Sequence, residues 1–162
     1  MQCSLPCLSD PGTFSKPIFV DNQLISKGKF EAVKGTPFDF LKPRTVGSRI
    51  NKLSGGYDIN YVIDVTKTQA VLNQVAIVKE KKLGRVMQLQ ANKPGVQFYM
   101  SNTLSNVTGK GGYVYGNNAA LCLETETQGF FYAVNHPNFP LVMATLGETY
   151  KHVMLFKFST IS

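Results

Sequence analysis

Apolar and polar residues alternate in short runs along the chain, and this pattern predicts β-strands. In residues 59–65 the side chains of Ile59, Tyr61 and Ile63 fall on one face, and those of Asn60 and Asp64 fall on the other. Further strands are predicted at 17–20, 24–33, 69–79, 85–92, around Gln97, and at 118–127, 141–143 and 149–158. Because glycine and proline mark the turns and no segment keeps a 3.6-residue period, the chain is predicted to be all-β, a sandwich or a barrel.

Length and composition indicate one folded domain. A chain of 162 residues with 43% hydrophobic and 17% charged residues can bury about two-thirds of the surface that it exposes when unfolded. Residues 1–16 contain Pro6, Pro11 and Gly12 and show little periodicity. We therefore predict a loose N-terminal arm at 1–16 and a single domain over 17–162.

Two of the predicted strands carry polar side chains inside apolar runs. Gln97 lies between Val96 and Phe98, and Glu124 and Glu126 follow Leu123. Polar groups on rigid strands can face a ligand, or they can occupy the solvent side of a half-buried strand. The pattern alone leaves both interpretations open.

The charge distribution and the lengths of the apolar runs argue against two classes of partner, nucleic acids and membranes. Net charge is +7, but the basic residues are scattered, and their densest group, at 79–85, has no accompanying aromatic stripe. We therefore predict no nucleic-acid partner and interpret that group as a solvated hairpin tip. No apolar run approaches the roughly 18 residues of a membrane-spanning helix, so no membrane partner is predicted either.

The cysteines predict a reducing compartment. Cys3, Cys7 and Cys122 make an odd number, and no leader-like apolar segment precedes them. Reduced thiols in the cytoplasm are the expected state. Cys3 and Cys7 have no second pair downstream, so no metal site is predicted.

Several motifs occur in one order with compatible spacings. They are Gly-Thr-Pro-Phe-Asp-Phe at 35–40, Gly-Tyr-Asp-Ile-Asn at 56–60, Pro-Gly-Val-Gln-Phe-Tyr at 94–99, Cys-Leu-Glu-Thr at 122–125, Asn-His-Pro-Asn-Phe-Pro at 135–140, and the ending from Gly-Glu-Thr-Tyr at 147–150 to Phe-Lys-Phe-Ser at 156–159. Together they resemble the C-terminal half of the aldose 1-epimerase (galactose mutarotase) family, most closely its plant forms. The resemblance covers about residues 17–162.

This resemblance implies an antiparallel β-sandwich of the galactose mutarotase type, truncated at its N-terminal side. It also implies an isomerase that interconverts the α and β anomers of aldoses such as glucose and galactose. In the family a glutamate takes the proton from the C1 hydroxyl and a histidine protonates the ring oxygen, so the ring opens and closes on its other face. The resemblance implies no metal and no organic cofactor.

Four residues of this chain match the family's site motifs. Asp58 of Gly-Tyr-Asp and Gln97 of Pro-Gly-Val-Gln are implied to bind sugar hydroxyls. The base is Glu124 when counted forward from Cys122, and Glu126 when counted back from Asn135. The downstream spacing favours Glu126, and both glutamates share one strand face. A two-residue insertion could also bulge the strand.

The resemblance also sets limits on the activity. Ile59 stands where the family has histidine, and the family's acid histidine belongs to the N-terminal half. His136 and His152 lie outside the acid's motif. We therefore expect mutarotation to be reduced or lost. The alternative is a non-catalytic carbohydrate-binding or protein-interaction remnant, and exposed strand edges could pair copies of the chain.

Overall fold

Strands dominate the residues that the computed structural model describes, which are 7–9, 16–21, 25–63, 72–126 and 145–161. They are β1 (Cys7–Ser9), β2 (Lys16–Val20), β3 (Ser26–Phe30), β4 (Arg44–Thr45), β5 (Asp58–Val62), β6 (Asn73–Glu80), β7 (Arg85–Ala91), β8 (Gly95–Tyr99), β9 (Val107–Thr108), β10 (Val114–Tyr115), β11 (Cys122–Glu126) and β12 (Met154–Thr160). Within these ranges, helical structure is limited to short 3-10 turns at Val46–Ser48, Ile50–Lys52 and Lys110–Gly112. None of the helices in the described part of the chain has the length and apolar character needed to cross a membrane.

The strands form two five-stranded antiparallel sheets and one small hairpin. The first sheet has the order β12-β7-β6-β1-β4, the second has the order β11-β8-β5-β2-β3, and β9 pairs with β10. Ala76 and Leu89 of the first sheet and Tyr61 and Phe98 of the second belong to one buried core cluster. Because both sheets bury side chains in this cluster, the architecture is an antiparallel β-sandwich, and the all-β prediction is confirmed.

Most strands lie where the alternation predicts them. The predicted faces of residues 59–63 are confirmed, because Ile59, Tyr61 and Ile63 all enter the core cluster. The last strand begins at Met154 rather than at residue 149. Residues 7–9, inside the predicted loose arm, form β1, which pairs with both β4 and β6. The predicted strand at 141–143 and the proline loop at 135–140 lie outside the described residues.

A cluster of aromatic side chains forms the centre of the core beneath β5 and β8. The rings of Tyr57 and Phe98 have centroids 5.0 Å apart, and Phe40 packs 5.5 Å from Tyr57 and 5.6 Å from Phe98. All three side chains are fully buried. Contacts of this kind each contribute about 0.5–1.5 kcal/mol beyond the burial of their area.

The phenol groups of two buried tyrosines join β5 to the loop at 35–40. Tyr57 Oη donates a hydrogen bond to the Pro37 carbonyl at 3.0 Å, and Tyr61 Oη donates one to the Phe38 carbonyl at 2.9 Å. Burial raises the pKa of both tyrosines above its usual value, and most strongly that of Tyr61. Both groups therefore remain neutral donors, and the loop is held over the core.

The residues just before β12 form a strap, which we define as residues 150–153. Asn92, in the β7–β8 turn, accepts a hydrogen bond from the Val153 amide through Oδ1 at 2.8 Å, and its Nδ2 donates to the Lys151 carbonyl at 3.3 Å. Lys93 is buried, and its Nζ lies 3.7 Å from the centroid of the Tyr150 ring. The Asn92 amide also donates a backbone hydrogen bond to the Val153 carbonyl at 3.3 Å, so the strap is joined to the β7–β8 turn by both backbone and side-chain contacts.

Replacing Gly56 by alanine is expected to destabilise the fold. Gly56 has φ +72°, and a Cβ there would lie 2.9 Å from Asn102 Oδ1. Asn102 cannot easily move, because its Nδ2 donates to the Tyr57 carbonyl at 2.9 Å. We expect Gly56→Ala to lower the free energy of unfolding by about 2 kcal/mol or more in urea titrations.

Alanine substitutions at two other glycines serve as controls that separate the cost of a positive φ from the cost of the clash with Asn102. Gly35 has φ +82°, and a Cβ added to it would meet no atom within 4 Å, whereas Gly55 has neither the positive φ nor a close neighbour. Gly35→Ala should cost about 1 kcal/mol, and Gly55→Ala should stay within about 0.5 kcal/mol of the original chain. Equal losses for Gly56→Ala and Gly35→Ala would show that the asparagine contact is unimportant.

Candidate functional site

The side of the second sheet that faces away from the core carries a row of polar side chains, which we call the polar face. In the register of β5, β8 and β11, Asn60 lies opposite Gln97, and Gln97 lies opposite Glu124. The neighbouring row on the same face is Asp58, Tyr99 and Cys122. The alternating positions Ile59, Phe98 and Leu123 pack against the core. Three adjacent strands thus bring separate parts of the sequence together on one surface.

The side chains of Asp58 on β5 and Gln97 on the neighbouring strand β8 are in direct contact. Gln97 Nε2 donates a hydrogen bond to Asp58 Oδ1 at 2.6 Å. Since a carboxylate can only accept, this bond assigns the amide nitrogen to the side toward Asp58 and leaves the Gln97 carbonyl oxygen as an acceptor. Two residues chosen from the motifs as hydroxyl-binding groups therefore form one hydrogen-bonded unit.

The two candidate bases occupy different positions along β11. Glu124 is exposed and lies directly opposite Gln97, whereas the backbone of Glu126 lies opposite Gly95, two residue pairs farther from Asp58. The pairing of β11 with β8 continues from Cys122 to Glu126 without a shift in register. The bulge that a two-residue insertion could cause is therefore not found within this strand.

Cys122 carries a free thiol on the same strand face as Glu124. Burial raises the pKa of this thiol, and the negative charge of Glu124 raises it further. The thiol is therefore protonated near neutral pH and is a poor nucleophile.

His152 lies on the other side of β11 from the polar face. Its Nε2 is 2.9 Å from Thr125 Oγ1, and Thr125 is buried on the core side of the strand, between Glu124 and Glu126 in the sequence. Partial burial lowers the pKa of His152, and the nearby Lys93 cation lowers it further. This imidazole therefore contacts the core side of the sheet, and His136 lies outside the described residues.

A cavity of about 300 Å³ next to the start of β5 was not predicted from the sequence. Its polar lining includes Ser54, Asn102, Asn117 and Asn118. The Oδ1 atoms of Asn102 and Asn118 are buried and lack a hydrogen-bond partner within the described ranges. Runs such as Gly-Asn-Asn at 116–118 were the available sequence signal, but they are also common in ordinary turns. Elsewhere in the described residues, no three His, Cys, Asp or Glu side chains gather as metal ligands would.

Comparisons with known proteins agree with this architecture. The family model described as "Aldose 1-epimerase" matches residues 12–157. The galactose mutarotases of Pongo abelii and Homo sapiens are each 39% identical over 142 residues, which cover 86% of this chain and 40% of theirs. The chain thus spans about 40% of the length of these curated relatives.

Solved structures share the fold at lower identity. The GalM/aldose epimerase homologue from C. elegans superposes with a TM-score of 0.76 at 21% identity, over 99% of this chain and 47% of that one. The galactose 1-epimerase from Lactobacillus acidophilus gives 0.60 at 19% identity, over 76% and 35%. These likenesses confirm the predicted sandwich of the galactose mutarotase type.

The reactivity of Cys122 tests the geometry of the polar face without an activity assay. Glu124→Gln removes the negative charge that raises the thiol's pKa, so alkylation of Cys122 by iodoacetamide should begin at lower pH. Peptide mass spectrometry resolves Cys122 from Cys3 and Cys7. Glu31→Gln is the matched control, because Glu31 is exposed and outside this face. Identical pH profiles for the two variants would show that Glu124 does not act on Cys122.

The lowered pKa of His152 predicts a loss of stability in mild acid. The folded chain binds this proton less readily than the unfolded chain, whose histidine titrates near 6.5. The free energy of unfolding should therefore fall as pH drops below about 6.5. Urea midpoints at pH 7.5 and 5.5 measure the fall, and His152→Gln should reduce it. An unchanged fall in His152→Gln would assign the effect to other groups.

Proposed function

Because this chain belongs to the aldose 1-epimerase family, we propose that it supplies the proton-accepting and hydroxyl-binding side of an aldose site. The observation that carries the proposal is the alignment of Glu124 with Gln97, which is itself hydrogen-bonded to Asp58. The substrate class is a free aldose such as galactose or glucose, and the reaction is the interconversion of its α and β anomers.

In this proposal each group does what its chemistry allows. Glu124 accepts the proton of the C1 hydroxyl as the ring opens, because an exposed carboxylate opposite Gln97 can reach a sugar lying on the polar face. Asp58 and the Gln97 carbonyl oxygen accept hydrogen bonds from the remaining hydroxyls. The strand register favours Glu124 as the base over Glu126, although the motif spacing favours Glu126.

Among the described residues, no histidine lies on this face to protonate the ring oxygen, as the resemblance to the family would require. His152 contacts Thr125 on the core side of β11, so it does not face Glu124. A well-placed acid or base contributes about 10² to 10⁴ in rate. We therefore propose that mutarotation by this chain alone is reduced by about that factor or lost.

The same observation supports a second candidate function. A face that retains its hydroxyl-binding pair without a proton donor could bind carbohydrate without turning it over, or serve as a protein-interaction module. The Asp58–Gln97 hydrogen bond supports the carbohydrate-binding version, because it pre-orients the amide for a ligand. A cytoplasmic location is part of the proposal and agrees with the free thiol of Cys122.

Polarimetry of freshly dissolved α-galactose tests the base. The chain should accelerate mutarotation about 10² to 10⁴ times less than human galactose mutarotase does. Glu124→Gln should remove the residual rate because a neutral amide cannot accept the proton, while Glu126→Gln should keep it. The reverse result would assign the base to Glu126, and a rate equal to that of the human enzyme would contradict the proposed lack of a donor.

Sugar binding separates the two candidate functions. Saturation-transfer NMR with galactose should show contact with the chain, and Gln97→Ala should weaken it, while the exposed control Glu31→Gln should not. Binding without turnover would support the carbohydrate-binding function. Neither binding nor turnover would contradict both.

A further inference from the structure

The cavity next to the start of β5 has the size and the lining of a small-molecule site. Its volume of about 300 Å³ lies at the lower end of the roughly 300–1,000 Å³ that such sites occupy. None of the described residues that line it carries a charge, and three of them are Asn102, Asn117 and Asn118. The lining includes neither Asp58 nor Gln97, so the cavity is distinct from the polar face.

The asparagines present carbonyl oxygens to the cavity without donors to match them. Asn102 Nδ2 donates to the Tyr57 carbonyl at 2.9 Å, and Asn117 Nδ2 donates to the backbone carbonyl of Asn102. These bonds fix both amide orientations and leave the two Oδ1 atoms as acceptors. The Oδ1 atoms of Asn102 and Asn118 are buried without a hydrogen-bond partner among the described residues, which is a costly arrangement.

The two unpartnered oxygens converge above Gly56. A Cβ built on this glycine would lie 2.9 Å from Asn102 Oδ1 and 3.0 Å from Asn118 Oδ1. Two oxygens of like partial charge that are held together attract a common donor. Asn102 is anchored by its bond to Tyr57, whereas no described residue holds Asn118 Oδ1, so rotation of the Asn118 side chain can turn this oxygen into the cavity.

Unfavourable backbone conformations occur at the same place. Among the described non-glycine residues, a positive φ is found at Ser101 (+50°), Asn106 (+50°) and Asn118 (+60°). Ser101 directly precedes Asn102, and its carbonyl accepts a hydrogen bond from the Asn118 amide at 3.3 Å. Two of the three residues are therefore in contact beside the cavity. Such conformations are typical of ligand sites, where the surrounding structure maintains them.

We propose that this cavity binds a neutral polyhydroxyl molecule of hexose size, a free sugar or a sugar alcohol, through its hydroxyl groups. Because the asparagine oxygens are acceptors, the ligand must donate several hydrogen bonds, as neighbouring hydroxyl groups do. Ile50 and Leu53 supply apolar contact for the carbon skeleton. This second site does not rest on the function proposed for the polar face.

The charges of the chain argue against a metal cation as the ligand. Divalent cations such as Ca²⁺ are held in proteins largely by carboxylates, and no carboxylate belongs to the described lining. The net charge of +7 further opposes the binding of a cation. A neutral donor satisfies the same oxygens without this repulsion.

NMR titration of the full chain with galactitol tests the site. Galactitol carries the required hydroxyl groups but has no anomeric carbon, so turnover cannot contribute to the signal. The backbone amides of Gly55 and Gly56 and the side-chain amide of Asn118 should shift along one saturating curve in the millimolar range. The absence of saturable shifts at these groups would overturn the proposal. The same shifts with KCl alone would overturn it in favour of a cation.

Two asparagine-to-glycine variants form a matched pair. Asn118→Gly removes the unpartnered oxygen, while glycine still accommodates the positive φ. Asn106→Gly makes the same change at an exposed position that does not line the cavity. We expect Asn118→Gly to weaken galactitol binding by at least about tenfold and Asn106→Gly to change it by less than about twofold. Equal affinities of the two variants would overturn the assignment to this cavity.

A third variant separates the cavity from the polar face. Gln97→Ala should leave the galactitol-induced shifts of Gly56 and Asn118 unchanged, because Gln97 does not line the cavity. Loss of these shifts in Gln97→Ala would place the polyol on the polar face and overturn the second site. Unchanged shifts in a chain without mutarotation would count against the proposed function alone.

Discussion

The two phenol hydrogen bonds beneath β5 are the constraint on which the rest of the site depends. Tyr57 and Tyr61 are fully buried, and a buried hydroxyl without an acceptor costs about 1–3 kcal/mol. The Pro37 and Phe38 carbonyls satisfy both groups. Because side chains alternate along a strand, fixing the tyrosines on the core side fixes Asp58 on the opposite side.

The two faces of the second sheet therefore have different roles: one packs against the core and the other carries the candidate site residues. Its core side holds aromatic and aliphatic side chains in close contact, and its outer side can carry polar groups without disturbing them. Structures only 19% and 21% identical to this chain share the fold. This is expected when the pattern and volume of buried residues, rather than particular side chains, determine the architecture.

Alternation in the sequence was enough to predict most strands and their faces, but it could not decide questions of pairing. Because side chains alternate every second residue along a strand, the sequence assigns Glu124 and Glu126 to the same face. Only the register against β8 distinguishes them. Similarly, β1 is three residues long, and its pairing with β4 and β6 is non-local, so its local sequence gave little signal. The motifs identified Asp58 and Gln97 as candidate site residues, but only the structure of the sheet showed that their side chains are in contact.

The strap at 150–153 has a consequence for how the molecule opens. Hydrogen bonds from Asn92, the Lys93–Tyr150 contact and the Thr125–His152 contact connect it to the β7–β8 turn and to β11. Neither sheet edge can fray without straining the other, so β11 and β12 should behave as a single cooperative unfolding unit. Thermal fluctuations that disturb the end of the chain would therefore also reach the strand that carries the carboxylates.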